Sequence, residues 1–389
     1  MTEREKIDNT AFIERLVRRI REDGRTGWVR DADGGRRELA AIPFREYMAV
    51  CLYDEEFGYY AAGPSRVGRE GDFYTSADVG GVMSAVLARF ANRAFGEDGR
   101  EHPAVFEWGA GTGRLGVRLL EEWRTIDPER AARVRYVMAD SHAGHREAAR
   151  RAAEDAGLAA QVEALAPEEA EKRLGAAVRP LLLANELLDA FPVRRIKRED
   201  GRLWEIGAAW DGEEGRLRDA LMPLDGQALD RLEAEGYRPA EGQEFEWGTD
   251  ALAWLERTLG VMREGRVVLI DYGDEQDELL APHRMRGTMR CYRKHVVHDD
   301  PYRNPGEQDI TAHVNFTAVR RTAERLGWRT AWYGPQRRFL LENGAMELLA
   351  AHDGTDPFSP EARRNRAVRQ LIVGDAMGEL FKVIVFERP

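Results

Sequence analysis

Cysteine is nearly absent. Cys51 and Cys291 are the only two in 389 residues, too few for a disulfide framework or a cysteine-based zinc centre. Lysine is scarce as well: it stands only at positions 6, 172, 197, 294 and 382, so nearly all of the 58 basic residues are arginine. The arginines are interleaved with 69 acidic residues, and the formal net charge of −11 opposes binding to nucleic-acid backbones or anionic membrane surfaces. No apolar run reaches the roughly 18 residues that mark a membrane span. The opening Met1-Thr-Glu-Arg-Glu-Lys6 has neither the apolar stretch of a secretory signal nor the acid-poor character of a transit peptide. A cytoplasmic protein is therefore expected. The chain also lacks fixed-period repeats and low-complexity tracts.

What is present divides into two textures. Phe12, Ile13, Leu16, Val17 and Ile20 recur at helical spacing, as do Val82, Met83, Val86, Leu87 and Phe90. Between them, Phe57 to Ser76 is rich in glycine and aromatics and predicts an ordered loop. From about residue 103, four short apolar runs each end in polar residues: Ala104–Phe106 before Glu107, Val134–Met138 leading to Asp140, Leu181–Leu183 leading to Asn185-Glu186, and Val267–Ile270 before Asp271. Continuous apolar runs suit strands buried on both faces, hence an α/β fold with a mostly parallel sheet. Open sheets of this kind bind ligands at the carboxyl ends of their strands. The expected organisation is a helical and loop segment over residues 1–102 that contributes to the site, followed by a Rossmann-like core over 103–389. Insertions at about 196–262, β-rich or cap-like, and at about 274–316 interrupt that core, and Phe381–Phe386 is expected to return to the sheet.

The sharpest local pattern is Glu107-Trp-Gly109-Ala-Gly111-Thr-Gly113, placed after one strand and before the helical Arg114-Leu-Gly-Val-Arg-Leu-Leu120. Glycines serve where a backbone turns tightly and approaches a ligand, and the helix that follows offers free amides and a positive dipole. The spacing is Gly-x-Gly-x-Gly, not the Gly-x-Gly-x-x-Gly of dinucleotide sites. Glu107 beside the glycines suits a cationic ligand and would sit awkwardly by a pyrophosphate. S-adenosyl-L-methionine, with its ammonium and sulfonium and no phosphate, therefore fits better than NAD. Asp140, at the next strand end, is the expected acceptor for ribose hydroxyls. It lies 27 residues past Gly113, beyond the usual interval of about 20, and Trp123–Glu129 accounts for the excess. In Asn185-Glu186-Leu-Leu-Asp189-Ala-Phe-Pro192, a helical conformation would put Glu186 and Asp189 on one face, where paired carboxylates can grip a guanidinium. A helix N-cap at Asn185 followed by first-turn acids is the competing structural explanation. The pairs His142/His145 and His295/His298 lack accompanying acids or cysteines at metal-ligand spacing and are expected to be surface histidines, with no metal.

Taken together in order, these pieces resemble the MidA family of S-adenosylmethionine-dependent methyltransferases, which includes a mitochondrial complex I assembly factor that methylates a protein arginine. The matching segments are Phe44–Met48, Leu52-Tyr53, Gly58–Tyr60, Gly71–Ser76, Glu107–Gly113, Asn185–Val193, Ile270–Gly273, Arg286–Thr288, His295, Asn304–Gly306, Asp309–Phe316 and Met377–Lys382. The resemblance implies a class I methyltransferase core with cofactor contacts at Gly109, Gly111, Gly113 and Asp140, and it places Gly71, Asp72, Thr75, Asn185, Glu186 and Asp189 around the site. The chain departs from the family at Ala77-Asp78, where Pro-Glu is usual, and at Asp140, where Glu is common; Asp can still accept two hydroxyls. The expected function is methylation of a protein arginine nitrogen. Glu186 and Asp189 would hold the guanidinium, and His295 or His313 would orient it or act as base. An arginine-containing protein is the expected partner, and a second copy of the chain is a further candidate. A cofactor-binding assembly chaperone and a small-molecule O- or N-methyltransferase are the alternative functions.

Overall fold

A computed structural model describes residues 3–31, 34–60, 81–97, 102–351, 356, 358–373 and 379–389. The chain divides into two units, one comprising Met1–Gly63, Leu188–Trp254 and Asp274–Val319, the other Pro64–Leu187, Leu255–Gly273 and Arg320–Pro389.

The second unit contains the strands expected from the four apolar runs and from Phe381–Phe386, together with two that were not expected, Val162–Leu165 and Arg329–Pro335. Numbered within this unit, they are β1 (Ala104–Trp108), β2 (Arg135–Ala139), β3 (Val162–Leu165), β4 (Leu181–Asn185), β5 (Gly265–Asp274), β6 (Arg329–Pro335) and β7 (Phe381–Arg388). They lie in the order β6-β7-β5-β4-β1-β2-β3. Strands β1 to β5 pair in parallel, and β7 runs antiparallel to both β5 and β6. The chain steps from β1 outward to β2 and β3, then returns to place β4 on the other side of β1. That reversal is the switch point at which open α/β sheets form a ligand crevice. Leu181–Ala184 are buried at every position, as expected for a strand covered on both faces.

Helix α1 (Arg114–Ile126) buries Leu115, Leu119, Leu120 and Trp123 along one face, and the Trp123 indole donates to Asn92 Oδ1 at 3.0 Å. A short helix, Pro128–Ala131, capped by the Asp127 side chain, takes up the extra length before β2. Helix α2 (Ala143–Asp155) follows β2. Helix Val82–Glu97, expected with the N-terminal segment, groups with the sheet instead. Its Val82, Met83, Val86 and Leu87 share a buried cluster with Leu119, Trp123 and Leu183.

The first unit corrects the expectation of a helical N-terminal segment. Helix Glu3–Asp23 is present, but Arg25–Arg30 and Arg36–Pro43 form an antiparallel hairpin paired from Arg25–Ala41 to Arg30–Arg36. Exposed and half-buried positions alternate over Arg36–Ala40, the period of a strand. Strand Arg202–Asp211 pairs with Arg194–Glu199, with Arg36–Pro43 and with Arg216–Pro223. The last of these reaches Arg25–Arg30 at Trp28–Leu221, so four strands close into a ring. Gly207 makes that closure sterically feasible: a Cβ there would stand 2.6 Å from the Ile42 carbonyl oxygen and 2.3 Å from Met222 Sδ.

Gly207→Ala is therefore expected to destabilise this unit by about 1–3 kcal/mol through overpacking, read as a lower thermal midpoint. Gly226→Ala is the control, because a Cβ there meets nothing within 4 Å; it should leave the midpoint unchanged or slightly raised.

Candidate functional site

The turn after β1 depends on left-handed backbone. Gly109, Gly111 and Gly113 have φ of +70°, +55° and +75°, a region that side chains with a Cβ enter only under strain. The Gly109 and Ala110 amides both donate to the Ala139 carbonyl, at 2.9 and 3.1 Å. The three glycines face different surroundings. A Cβ at Gly109 would meet Leu187 Cδ1 at 2.9 Å, and one at Gly113 would meet Met138 Sδ and Ala149 Cβ, both at 2.9 Å; one at Gly111 meets nothing among the described residues within 4 Å. The turn is packed from the protein side at its two ends and open at its centre. Gly113 leads directly into α1, whose first amides have no intrahelical acceptor.

Asp140 stands at the end of β2 and ties the neighbouring turns together. Its Oδ2 accepts the Gly111 amide at 2.9 Å and its Oδ1 the His142 amide at 2.8 Å. Arg146 donates to the Asp140 and Ser141 carbonyls, both at 2.8 Å. His145, expected at the surface, is 8% exposed, with Nδ1 3.3 Å from Asp140 Oδ1. Residues 142 and 145 lie at the start of α2, where the helix folds them back onto Asp140.

Glu107 is placed differently from the expectation that it accepts a hydrogen bond from a ligand. It is 3% exposed, and its carboxylate accepts the Tyr136 hydroxyl at 2.9 Å and the Gly116 amide. The pleat of β1 turns residue 107 beneath the first turn of α1, so Glu107 supports the glycine turn from within the core. Burial pushes its carboxyl up to about 7, against the Tyr136 hydroxyl and the Gly116 amide, with Asp140 adding to the rise.

At the end of β4, Asn185 and Glu186 do not begin a helix. Glu186 has φ +52°, and residues 186–192 follow bends and turns. The shared helical face for Glu186 and Asp189, and equally the N-cap at Asn185, is thereby overturned: a left-handed residue cannot propagate a right-handed helix. The Glu186 amide donates to the Ile270 carbonyl at 2.8 Å, which holds the kink against β5. Asn185 Nδ2 donates to Glu186 Oε1 at 3.2 Å. That bond orients the amide and leaves Asn185 Oδ1 buried with no hydrogen-bond partner among the described residues. Asp271, fully buried at the end of the fourth apolar run, was not singled out from the sequence. It accepts the Leu187 and Tyr272 amides at 3.2 and 2.8 Å and so fixes the loop that carries Glu186. Its one signal was an acid closing a strand.

The other expected residues fall in the first unit. Asp189 is 4% exposed, and its carbonyl accepts the Ala312 amide at 3.2 Å; the next residue, His313, donates its amide to Thr288 Oγ1 at 3.1 Å. Asp189 and His313 are thus brought close through the backbone. Tyr60 donates to Asp309 Oδ1 at 2.9 Å, and burial together with Asp309 and Asp189 pushes its phenol well above the ordinary value. His295 is the other residue expected as orienter or base. It sits at the tip of the hairpin Arg290–Arg293/Val296–His298, where Lys294 and His295 take φ of +48° and +62° and the side chain is exposed. Gly71, Asp72 and Thr75 lie outside the described residues. Among the described residues, no group of His, Cys, Asp and Glu is placed to hold a metal ion, and no helix is long and apolar enough to cross a membrane.

An open glycine turn at the switch point, a helix that begins directly after it, strand-end acids and a buried Asn185 oxygen with no partner among the described residues together fit S-adenosylmethionine, and the strand order is that of a class I S-adenosylmethionine-dependent methyltransferase. Residues 86–334 match the model of a family described as "Putative S-adenosyl-L-methionine-dependent methyltransferase", and the chain belongs to that family, the MidA methyltransferases it resembles in sequence. It is 27% identical over 308 residues to the Drosophila melanogaster protein arginine methyltransferase NDUFAF7 homolog, mitochondrial, covering 74% of this chain and 67% of that protein. It is 26% identical over 330 residues to the Mus musculus protein arginine methyltransferase NDUFAF7, mitochondrial, covering 79% and 72%. The crystal structure of a superfamily member from Burkholderia thailandensis bound to S-adenosyl-homocysteine matches 100% of this chain and 94% of its own, with a TM-score of 0.85 and 31% identity.

Two outcomes follow from this geometry. Gly111→Ala should fold with only a small loss of stability, about 1–2 kcal/mol for the left-handed backbone, yet bind S-adenosyl-homocysteine at least ~10-fold more weakly by calorimetry. Gly113→Ala should instead lower the thermal midpoint. Second, Glu107 titrates near 7 in the fold against an ordinary 4.5, so the native state holds the extra proton between those values and loses stability as pH rises through them. The stability of the native sequence relative to Glu107→Gln should fall by about 3 kcal/mol between pH 4.5 and 7.5, and a pH-independent difference in unfolding free energy would refute the assignment.

Proposed function

We propose that this methyltransferase acts on a nitrogen of a protein arginine side chain. The observation that carries the reading is the strained end of β4, where Asn185 presents a buried acceptor oxygen with no partner among the described residues and Glu186 stands beside it at φ +52°. The names of the Drosophila and mouse relatives support the same choice.

When bound, S-adenosylmethionine supplies a methyl group made electrophilic by its sulfonium. The protein's contribution is alignment, exclusion of water and handling of one proton. The glycine turn, where the backbone is open at Gly111, and Asp140 beside it would hold the cofactor. Asn185 Oδ1 is an acceptor only, so it would receive an N–H of the guanidinium and aim that atom. A guanidinium stays protonated at neutral pH and its lone pair is delocalised. The Glu186 carboxylate meets both difficulties: it draws the positive charge toward the nitrogens it binds, and its Oε atoms take the proton that the methylated nitrogen sheds. The Glu186–Ile270 and Leu187–Asp271 hydrogen bonds keep that carboxylate in place.

Glu186→Gln is expected to lower methyl transfer by at least ~100-fold, the scale of a lost general base, while affinity for S-adenosyl-homocysteine stays within about twofold. The assay follows labelled methyl groups from S-adenosylmethionine into proteins of a lysate and locates them by mass spectrometry. Equal turnover in the variant, or label on small molecules alone, would overturn the assignment.

A further inference from the structure

The first unit carries a small three-stranded sheet. Its middle strand, Arg290–Arg293, pairs with Val296–His298 on one side and with Asp309–Thr311 on the other. Val296–His298 is therefore an edge. The turn before it, Lys294-His295, takes φ of +48° and +62°, the twist that closes a two-residue hairpin on a hydrogen-bonded pair, here Arg293–Val296. Bonded and unbonded pairs alternate along an antiparallel ladder, so Cys291–His298 is bonded and Tyr292–Val297 is not. The Val297 N–H and C=O thus point out of the sheet, and no described residue pairs with them. Val296 and Val297 are 57% and 53% exposed, and the strand has neither the lysine nor the proline that commonly guards an edge.

Residues that stand opposite one another in a sheet share a face. Val297, Tyr292 and Asp309 form one row across the three strands, whereas Cys291 and Ile310, on the other face, are fully buried. Tyr60 donates to Asp309, and burial together with Asp189 and Asp309 pushes the Tyr292 phenol up. The row runs from an open apolar edge to an aromatic ring and then to carboxylates.

We propose that the Val296–His298 edge receives, as an added strand, the extended segment of the substrate protein that carries the arginine. This rests on the reading of the protein as an arginine methyltransferase. An open main-chain edge recognises an extended backbone of any sequence, so selection falls to the row beside it. A side chain placed opposite Val297 lies on the face of Tyr292 and Asp309, where an aromatic ring and carboxylates favour a cation. A second copy of the chain is a poorer occupant, because three edge residues bury far less than the ~1,200 Å² of a stable interface. A short edge suits a segment that must leave after each turnover.

The test uses a short synthetic peptide spanning the arginine that the lysate assay labels. Val297→Pro removes the outward N–H and spares the bonds to Arg290–Arg293, since proline is tolerated where an edge N–H faces solvent. It should raise KM for the peptide about tenfold with kcat within about twofold, and leave the dissociation constant for S-adenosyl-homocysteine unchanged. The conservative Val297→Thr, which retains the N–H, should hold KM within about twofold. Should Val297→Pro fail to fold, the native protein is assayed with peptides N-methylated at one backbone amide at a time. KM should then rise at alternate positions, because an added strand turns every second amide toward the edge. An unchanged KM for Val297→Pro, or for every N-methylated peptide, overturns the docking, as does a sedimenting dimer that Val297→Pro dissociates. Label on residues other than arginine, or on small molecules alone, overturns the underlying reading and this docking with it.

Discussion

The hydrogen bond from the Gly111 amide to Asp140 ties the turn after β1 to the end of β2, and the site is organised around it. It can form because the turn takes three left-handed φ angles between Gly109 and Gly113, and because Ala139, the residue before Asp140, supplies the carbonyl that receives two further amides of the turn. One strand end thus grips the other at adjacent residues. Glu107 supports the same turn from below through Tyr136 and Gly116. The turn is consequently held from two directions, and backbone so held needs little rearrangement to receive a ligand, which is where preorganised sites gain affinity.

The end of β4 is organised differently. There the sequence places side chains at the crevice, and strain aims them. Glu186 is held left-handed by the Ile270 carbonyl, Asn185 is oriented by Glu186, and the Asp271 carboxylate secures the next amide. Non-glycine residues kept in this region of backbone space need surroundings that over-determine them, and three hydrogen bonds over three consecutive residues provide that here. The chain therefore separates its tasks: glycines and amides at the β1 end, acids and an amide side chain at the β4 end.

The parallel sheet was legible in the sequence because its strands are buried on both faces, which leaves runs such as Leu181–Ala184 without a polar interruption. The glycine turn was legible because no other residue substitutes cheaply at those φ values. The hairpin over Arg25–Pro43 was not legible: its few apolar residues, such as Trp28, Val29 and Leu39, show no sustained alternation, and strand pairing is decided by partners far along the chain. Asn185-Glu186-Leu-Leu-Asp189 has the composition of a helix start, and only the tertiary hydrogen bond to Ile270 turns it into a kink. Burial was the other hidden variable. Glu107 and His145 carry side chains usually found at surfaces, and nothing local distinguishes an acid that faces a ligand from one that faces a tyrosine. His295 failed in the opposite sense, since a hairpin tip has no periodicity to announce that its residue points outward.

The strand order has a consequence for how the sheet is assembled. Strand β7 follows β5 and β6 in sequence, yet it sits between them and pairs with both. Until residues 381–388 have been synthesised, β6 has no strand to join and β5 exposes an apolar edge to any competing chain. Such edges template mispairing, and long-range closures of this kind slow folding. The sheet therefore stays incomplete until residues 381–388 are made, and a chain lacking them would leave β5 and β6 without the neighbour they share, a substrate for chaperones and proteases before it is anything else.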